Sequence, residues 1–586
     1  MQQITQSPAL AINRRRLMVS SAAVAATGIV TLKPGIVYAR GARSGSKSFS
    51  ITNADVNGAK PFVISQPGLY TLAEDIDWTT RDPNAKGIDI QSDYVTLDLA
   101  GHTFQQVNLP APQRDPQRSK YKGEIVSGNV GIWSDGHKGL VIRNGSVANI
   151  QGVGILLKDC DHLDCIGLAA RGCGGNGTLD TSFLYRNGGL FVIGTKSASG
   201  IRFAKDVRIV DCTCEQNTRS LDYVVTLGAF VLFTDDLEVK NGRFHQNANS
   251  SPQPSGVQFN VVGIDIVICR NVLVEDCEAN DNTSGGEPAG FFAWGENIKF
   301  LRARANRNFT LKGNRACGFN VSTTNNLQMI DCEADGNYNA NPDASSDAVK
   351  DFSACGFRIG RAVFRGSLVD CRATGNNSVG RNAAASGFAL HSTSDLVLRS
   401  CEAIGNRNAS GPGGGFAAGF HATVPLKDEK GQGVGGRNMT FIDCVADGNT
   451  VDREPLFVTA PAPAVDAGEL RGDPKNGAGF LLEAQSRLTM IGCKALNNHG
   501  KGIWLRSCGN ANIQGSTVSG NTLIGIENEA PVASSAFTVN TARLNGGRHS
   551  DNYVGLPSGT PIREWTLGAA PPSETDSLIN TSISRS

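Results

Sequence analysis

The sequence lacks several features that would place a chain of this length in a common class. It carries almost no net charge, with 55 Lys and Arg against 54 Asp and Glu, so no overall field draws it to nucleic acid or to an anionic membrane. Aromatic residues make up only 6% of it, and after the first forty residues no segment is long and apolar enough to cross a bilayer. We therefore expect no nucleic-acid partner and no membrane span in the mature protein, although a local patch could still hold a polyanion.

The first 39 residues have the order of parts that an export signal requires. Three arginines at 14–16 precede a weakly apolar stretch at 19–32, and small residues suited to signal peptidase follow at 37–39. This arrangement resembles a twin-arginine signal, which implies the twin-arginine export machinery as a partner and a periplasmic or secreted location. The alternative is an amphipathic N-terminal arm.

The fifteen cysteines are diluted through a long chain rather than concentrated in a small disulfide scaffold. Most of them recur in one context, Asp/Ser/Gly-Cys-x-Ala/Cys, usually followed by Gly-Asn or Asn-Asn. Seven segments share this form, centred on Cys212, Cys277, Cys332, Cys371, Cys401, Cys444 and Cys493. A repeat explains them better than a disulfide framework or a zinc site, because Cys160-x4-Cys165 and Cys212-x-Cys214 lack paired zinc spacing.

Aligning the rest of the chain on this repeat gives a register in which other small or apolar residues replace Cys. Its positions are 101, 145, 168, 212, 242, 277, 303, 332, 371, 401, 444, 493 and 516. The shortest intervals, 23 residues from 145 to 168 and from 493 to 516, approach one turn of a β-helix without loops. The register predicts about thirteen coils, each a strand, turn, strand, turn and strand.

Stacking of such coils explains the residue types. Equivalent residues of successive coils lie about 4.8 Å apart, so Cys would form a buried, reduced inward ladder, and Asn amides would bond along the axis. The Gly-Asn pairs supply residues that tolerate left-handed backbone. Alternation in 387–391 predicts that Phe388 and Leu390 fill the core, while Ala389 and His391 face solvent.

The glycine, apolar and Asn pattern resembles the pectate-lyase-like superfamily of right-handed β-helices. The resemblance covers roughly 87–545 and implies an all-β, single-domain right-handed parallel β-helix, a solenoid. The chain then divides into a signal peptide at 1–39, an N-terminal cap at 40–86, the β-helix at 87–545, and a C-terminal cap with a flexible tail at 546–586.

Unequal coil lengths indicate where functional loops leave the stack. Loops at 338–352, 423–436 and 450–476 all border the Gly-aromatic strand, and we expect them to wall one groove. Outward residues there make a candidate site, with aromatic surface toward Trp294, and a solvated polar sheet face is the alternative. The candidate catalytic residues are Arg358, His391, His421 and Glu483, and the candidate substrate-binding residues are Trp294, Asn320, Arg381 and Lys427.

Such a groove suits a polysaccharide, and β-elimination of a uronate polymer is the leading reaction. A cation must neutralise the uronate carboxylate and a neutral base must remove the adjacent proton, which suggests Arg358 with His391 or His421. Hydrolysis needs two carboxylates, for which Glu483 and a loop acid are candidates. A non-catalytic carbohydrate-binding or surface protein is the third interpretation.

Signatures of particular families are missing. The Asp-Pro-His of mannuronan epimerases does not occur, and Asp235-Asp236 resembles the acidic pair of polygalacturonases only superficially. The cofactor is unknown: loop carboxylates could bind calcium, but no spaced ligand motif is visible.

Overall fold

The computed structural model describes the parts of the chain on which the fold and the site are built. They are 47–56, 60–82, 84–108, 126–174, 177–180, 185–219, 224–250, 261–342, 353–360, 363–379, 384–409, 415–423, 436–451, 477–529, 535–538, 540–543, 545, 553–554 and 562–565. The predicted signal peptide lies outside them. Within them the only α-helix is the short Asn53–Val56, and no helix is long and apolar enough to span a membrane.

Nearly all the described strands belong to stacks of parallel neighbours. Sheet A contains Phe62–Ile64, Lys86–Ile90, Asn129–Asp135, Gly152–Lys158, Tyr185–Ile193, Val224–Leu232, the first parts of Val261–Glu275, Pro288–Leu301 and Ala316–Ile330, then Ala354–Gly360, Ala384–His391, Phe416–Thr423, Gly477–Glu483, Lys501–Arg506, Ile526–Asn528 and Tyr553–Val554. This is the sheet of the Gly-aromatic strands.

Sheet B follows sheet A along the chain. It contains Ser48–Ile51, Gly68–Leu72, Val95–Asp98, the first parts of Lys138–Ala148 and Asp161–Arg171, Ala204–Val210, Thr234–Lys240, the last parts of Val261–Glu275, Pro288–Leu301 and Ala316–Ile330, then Val363–Val369, Thr393–Arg399, Arg437–Ile442, Ser486–Ile491, Asn512–Gln514 and Ala536–Thr538.

Sheet C follows sheet B and is built of shorter strands. They are Ile76–Thr79, Thr103–Asn108, the ends of Lys138–Ala148 and Asp161–Arg171, Thr213–Glu215, Glu333–Asp335, Arg372–Thr374, Glu402–Ile404, Val445–Asp447, Lys494–Leu496, Thr517–Ser519, Asn540–Arg543 and Ile562–Trp565. Single bridges at Arg243, Glu278 and Arg304 continue it between Thr213 and Glu333.

The other strands form three smaller features. A narrow strip leads from sheet C back to sheet A through Thr218–Arg219, Ala248–Asn249, Thr283–Ser284, Phe309–Thr310, Tyr338–Asn339, Asn377–Ser378, Arg407–Asn408 and Thr450–Val451. Val126–Ser127 pairs with Gly177–Asp180, and Thr195–Ser197 forms a hairpin with Gly200–Arg202. The repeated path from sheet A to B to C is a right-handed parallel β-helix, the hand that parallel crossovers adopt.

The pairing register can be compared with the predicted one residue by residue. Residues directly after the predicted positions pair in sequence, as Ala169 with Thr213, Glu333 with Arg372, and Lys494 with Thr517. At the first position the prediction is wrong by one residue, because Thr103 pairs with Ser146 and so aligns His102, not Gly101, with Gly145. Gly101 lies in the preceding turn at φ +84°. The pairings continue past both ends of the predicted ladder, to Ile76–Thr79 and to Asn540–Arg543.

The interior follows the expected ladders. Six phenylalanines of sheet A stack face to face, with ring centroids 4.7–5.0 Å apart, at Phe291, Phe319, Phe357, Phe388, Phe420 and Phe480. All fifteen cysteines are buried free thiols, which confirms the prediction that they are not a disulfide framework. Burial raises the pKa of Cys173 and Cys269 to about 12, so these thiols stay protonated and unreactive at neutral pH.

Asparagines form a second buried ladder, as predicted. Each side-chain amide donates to the side-chain oxygen of the next Asn at 2.8–3.0 Å, through Asn217, Asn247, Asn282, Asn308, Asn337, Asn376, Asn406, Asn449, Asn498, Asn521 and Asn545. The residue before the ladder Asn turns through left-handed backbone, as Gly336 does at φ 63° and Gly375 at φ 62°. Glycine adopts that conformation without strain, which explains the Gly-Asn pairs.

Candidate functional site

The candidate site lies on the outer face of sheet A, opposite the phenylalanine stack. Strand pairing sets two adjacent rows of outward residues across successive coils. Row 1 is Asp265, Phe292, Asn320, Arg358, Ala389, His421, Leu481, Trp504 and Glu527. Row 2 lies two residues further along each strand and includes Gly360, His391, Thr423, Glu483, Arg506 and Glu529.

The sequence predicted that these side chains point outward from the sheet. It also predicted that Ala389 and His391 are exposed to solvent. Phe388 and Leu390 belong to the interior core as expected, whereas Ala389 is 0% and His391 2% exposed, so the expectation that these two face solvent is wrong. Arg358 and His421 are also buried. The face is crowded by its own neighbours: the Phe416 ring, for example, lies 5.2 Å from the His421 ring. Alternation predicts direction, but side chains elsewhere in the fold decide exposure.

The most specific contact in the site joins His421, Glu483 and Arg506. The Nε2 atom of His421 lies 3.7 Å from Glu483 Oε2, and the other carboxylate oxygen, Oε1, accepts a hydrogen bond from Arg506 Nη1 at 2.5 Å. Side-chain exposure is 6% for His421 and 12% for Glu483. An imidazole thus stands beside a carboxylate that a guanidinium holds in place.

The protonation states follow from burial and charge. Burial lowers the pKa of His421 by more than Glu483 raises it, so the ring is neutral at neutral pH. Burial alone would raise the pKa of Glu483, but His421 and the charge of Arg506 outweigh it and hold that pKa below its ordinary value. The site therefore contains a neutral imidazole and an ionised carboxylate. A neutral imidazole is the form that can accept a proton.

Arg358 and Asn320 are neighbours on row 1. Arg358 Nη1 donates to Asn320 Oδ1 at 3.2 Å, and both side chains are buried. Arg358 and His421 are separated in the row only by Ala389, so their backbones are two strand spacings, about 9.6 Å, apart. Because Ala389 is small, no bulky side chain of row 1 stands between the two longer ones. His391 lies in row 2, on the same coil as Ala389.

Sequence reasoning missed the charged residues that continue the site. Glu529 accepts hydrogen bonds from Trp504 Nε1 at 2.7 Å and from Arg506 Nε at 3.2 Å. Lys501 Nζ lies 2.6 Å from Glu527 Oε2 and over the Trp504 ring. A signal was available, because Gly502 and Gly525 are 23 residues apart and place Glu527 and Glu529 beside Trp504 and Arg506. The predicted ladder ended at 516, before this coil.

A buried ion pair stands further along row 1. Asp265, the first residue of row 1, lies 3.5 Å from Arg186 Nη2, with both side chains at most 8% exposed. The guanidinium also lies 4.0 Å from the centroid of the Phe230 ring. Burial outweighs the charge of Arg186 and raises the pKa of Asp265 to about 6. The two residues are 79 positions apart, so no local pattern could have joined them.

The remaining predicted residues fall into two groups. Trp294 is 38% exposed and lies two residues after Phe292, where the strand register shifts. Arg381, Lys427 and most of the three predicted loops lie outside the described residues. In the described part of the chain, no three His, Cys, Asp or Glu side chains are grouped so that they could hold a metal ion.

Comparisons with known proteins find only weak structural similarity. No protein-family model and no curated protein sequence matches the chain. Among solved structures, the periplasmic alginate epimerase AlgG has 10% identity and a TM-score of 0.34, with 88% of this chain and 83% of that chain covered. The A-module of the mannuronan C-5 epimerase AlgE4 from Azotobacter vinelandii has 12% identity and a TM-score of 0.25, covering 86% and 91%. The GH136 lacto-N-biosidase from Eubacterium ramulus has 9% identity and a TM-score of 0.27, covering 80% and 67%. At such values the likeness says nothing about this chain's activity.

Proposed function

We propose that this protein is exported and cleaves a uronate-containing polysaccharide by β-elimination, with His421 as the base. The observation that carries the proposal is the buried, neutral His421 beside the ionised Glu483 that Arg506 binds. Export rests on the arginines at 14–16 and the apolar stretch that follows them.

Each group has one task in this reaction. The uronate proton next to the carboxyl group becomes acidic when a cation neutralises the carboxylate, and Arg358 is the cation of row 1 that serves this purpose. His421 removes the proton, and Glu483 stabilises the imidazolium that forms. Elimination then breaks the bond to the glycosidic oxygen, which takes up a proton from water, and leaves a double bond in the sugar. Asn320, which accepts a hydrogen bond from Arg358, positions the guanidinium.

Two observations favour His421 over His391 as the base and elimination over hydrolysis. Glu483 lies beside His421, so the carboxylate can orient that ring. Inverting hydrolysis requires one carboxyl group to be protonated and a second to lie about 6.5–9.5 Å away. Glu483 and Glu529 stand two coils apart, but Arg506 lies between them and bonds to both, and the pKa of Glu483 is held low. That pair is poorly suited to acid catalysis.

The test is an assay of the purified full-length chain on polymannuronate, polyguluronate and polygalacturonate, followed by the ultraviolet absorbance of the unsaturated product. We expect His421→Ala to lower the rate by about 10²–10⁴-fold, the usual contribution of a general base. The matched control is His102→Ala, because that side chain is 35% exposed and far along the sequence from the site.

The same assay separates the alternatives. New reducing ends without ultraviolet absorbance would indicate hydrolysis, and binding without cleavage would indicate a carbohydrate-binding protein. An active lyase whose rate is unchanged by His421→Ala, with the fold intact by circular dichroism, would disprove the site assignment.

A further inference from the structure

The fifteen cysteines fall into two groups, one in the interior of the β-helix and one on the outer face of sheet A. Thirteen belong to the interior core, whereas Cys317 and Cys355 form a separate small cluster with Ala389. A Cβ atom on Gly318 would lie 2.9 Å from the interior Ala334 Cβ, so Gly318 faces inward. Cys317, immediately before it, packs with Ala389 of row 1 and not with the interior cluster, so it lies on the outer side of sheet A. Cys355 precedes the equivalent Gly356 and does the same.

The two outer thiols are in direct contact. Cys317 pairs in register with Cys355 on the neighbouring parallel strand, and their Sγ atoms are 2.9 Å apart. Non-bonded carbon atoms rest about 3.5–4.0 Å apart and sulfur is larger, so this contact is closer than an ordinary packing contact. Adjacent strands are about 4.8 Å apart, inside the Cα separation of roughly 4.4–6.8 Å that a disulfide spans.

No further cysteine adjoins this pair on its row of sheet A. On the same outward row, Ala289 stands one coil before Cys317 and Ser386 one coil after Cys355. A disulfide formed on this row can therefore join only Cys317 to Cys355. The interior ladder differs, because Cys371 follows Cys332 and precedes Cys401, and its thiol donates to the Met329 carbonyl at 3.5 Å. Each ladder thiol in that run could therefore pair with either neighbour.

We infer that Cys317 and Cys355 are a dithiol site that closes to a disulfide on exposure to a low-molecular-weight disulfide. One thiol loses its proton and the thiolate attacks the external disulfide, which releases one external thiol and leaves a mixed disulfide. The second cysteine, after losing its proton, attacks the mixed disulfide and releases the second external thiol. Two cysteine thiols are oxidised and one external disulfide is reduced.

The cross-link would join two successive coils through neighbouring strands of sheet A. It closes a loop of 38 residues and ties together the strands that carry Asn320 and Arg358. Burial raises the pKa of Cys355 well above its ordinary value, so the exchange is slow at neutral pH and faster in alkaline buffer. The inference stands independently of the proposed lyase activity.

Thiol mapping of the full-length protein tests it. The protein, purified without reductant, is incubated with oxidised glutathione in one arm and with the small neutral oxidant diamide in another. It is then denatured in acid, alkylated and analysed by peptide mass spectrometry. We expect one disulfide joining the peptides of Cys317 and Cys355, and alkylation of the thirteen interior cysteines.

Two double variants provide the comparison. Cys317→Ser with Cys355→Ser should abolish the disulfide, whereas Cys371→Ser with Cys401→Ser should leave it in place. Oxidation should also raise the thermal midpoint of the wild type, and dithiothreitol should reverse that rise, with neither effect in the Cys317→Ser and Cys355→Ser protein. Alkylation of all fifteen cysteines in both arms, or a disulfide within the interior ladder instead, overturns the inference.

Discussion

Replacing Asn376 by Ala would break the asparagine ladder in the middle of the stack. The Oδ1 atom of Asn376 accepts hydrogen bonds from the backbone N–H of Asn337 at 3.1 Å and from its Nδ2 at 2.8 Å. The Nδ2 atom of Asn376 donates to Asn406 Oδ1 at 2.9 Å and to the Ala334 carbonyl at 3.0 Å. All three ladder asparagines are 0% exposed, so water cannot replace these bonds.

The size of the effect follows from the groups left without partners. Alanine removes the oxygen that receives the backbone N–H of Asn337 and one of its Nδ2 hydrogens, and an unsatisfied buried donor costs about 1–3 kcal/mol. We therefore expect Asn376→Ala to lower the free energy of unfolding of this part of the stack by about 2–6 kcal/mol. Because each coil contacts only its neighbours, the loss should be local to the coils on either side.

Hydrogen exchange with mass spectrometry measures this locally, and denaturant unfolding followed by circular dichroism measures it globally. Peptides that cover 330–342 and 370–379 should lose protection first. The control is Asn377→Ala, since Asn377 is adjacent, only half-buried and outside the ladder, and it should change stability by less than about 0.5 kcal/mol. Equal effects of the two substitutions would refute the reasoning.

Two further predictions concern the buried charge and the aromatic stack. Burial raises the pKa of Asp265 to about 6 from an unfolded value of about 3.9, so the folded chain binds the extra proton between these values. The stability of the wild type relative to Asp265→Asn should therefore fall as pH rises from about 4 to above 6, by an amount on the order of 2–3 kcal/mol. Thermal midpoints of the two proteins, measured across this pH range, test the prediction. A stability difference that rises with pH would contradict the raised pKa. Phe388→Ala should cost about 3–5 kcal/mol in denaturant unfolding, because its ring is fully buried between two stacked rings and its removal leaves a cavity. Phe388→Leu keeps most of the apolar volume and should cost less, and equal losses would contradict the explanation by cavity volume.

The repeat in the sequence predicted the fold because stacking favours the same kind of residue at the same position of successive coils. Asn lies at the ladder turn, Gly precedes it in coils such as those of Gly336 and Gly375, and Phe fills sheet A in six successive coils, and each of these is visible in the sequence alone. The error at Gly101 arose where the coil has no Cys and a turn glycine stands one residue before the true position.

The candidate site was predictable only in part. Alternation marked Arg358, His421 and Glu483 as outward, but it could not show that Glu483 lies beside His421, since the two residues are on neighbouring coils separated by a long insertion. It also could not show that Arg506 binds Glu483, or that Arg186 binds Asp265. Contacts across rows depend on the register of distant coils and on side-chain length.

The sequence by itself determined which residues repeat, and therefore which side chains stack and which point inward, because a period of one coil repeats the same backbone environment. Tertiary structure decided which outward side chains are buried and which charges meet. Burial depends on everything packed against a face and the pKa values depend on that burial, so neither the neutral state of His421 nor the separation of Cys317 and Cys355 from the interior thiols could be known from the order of residues.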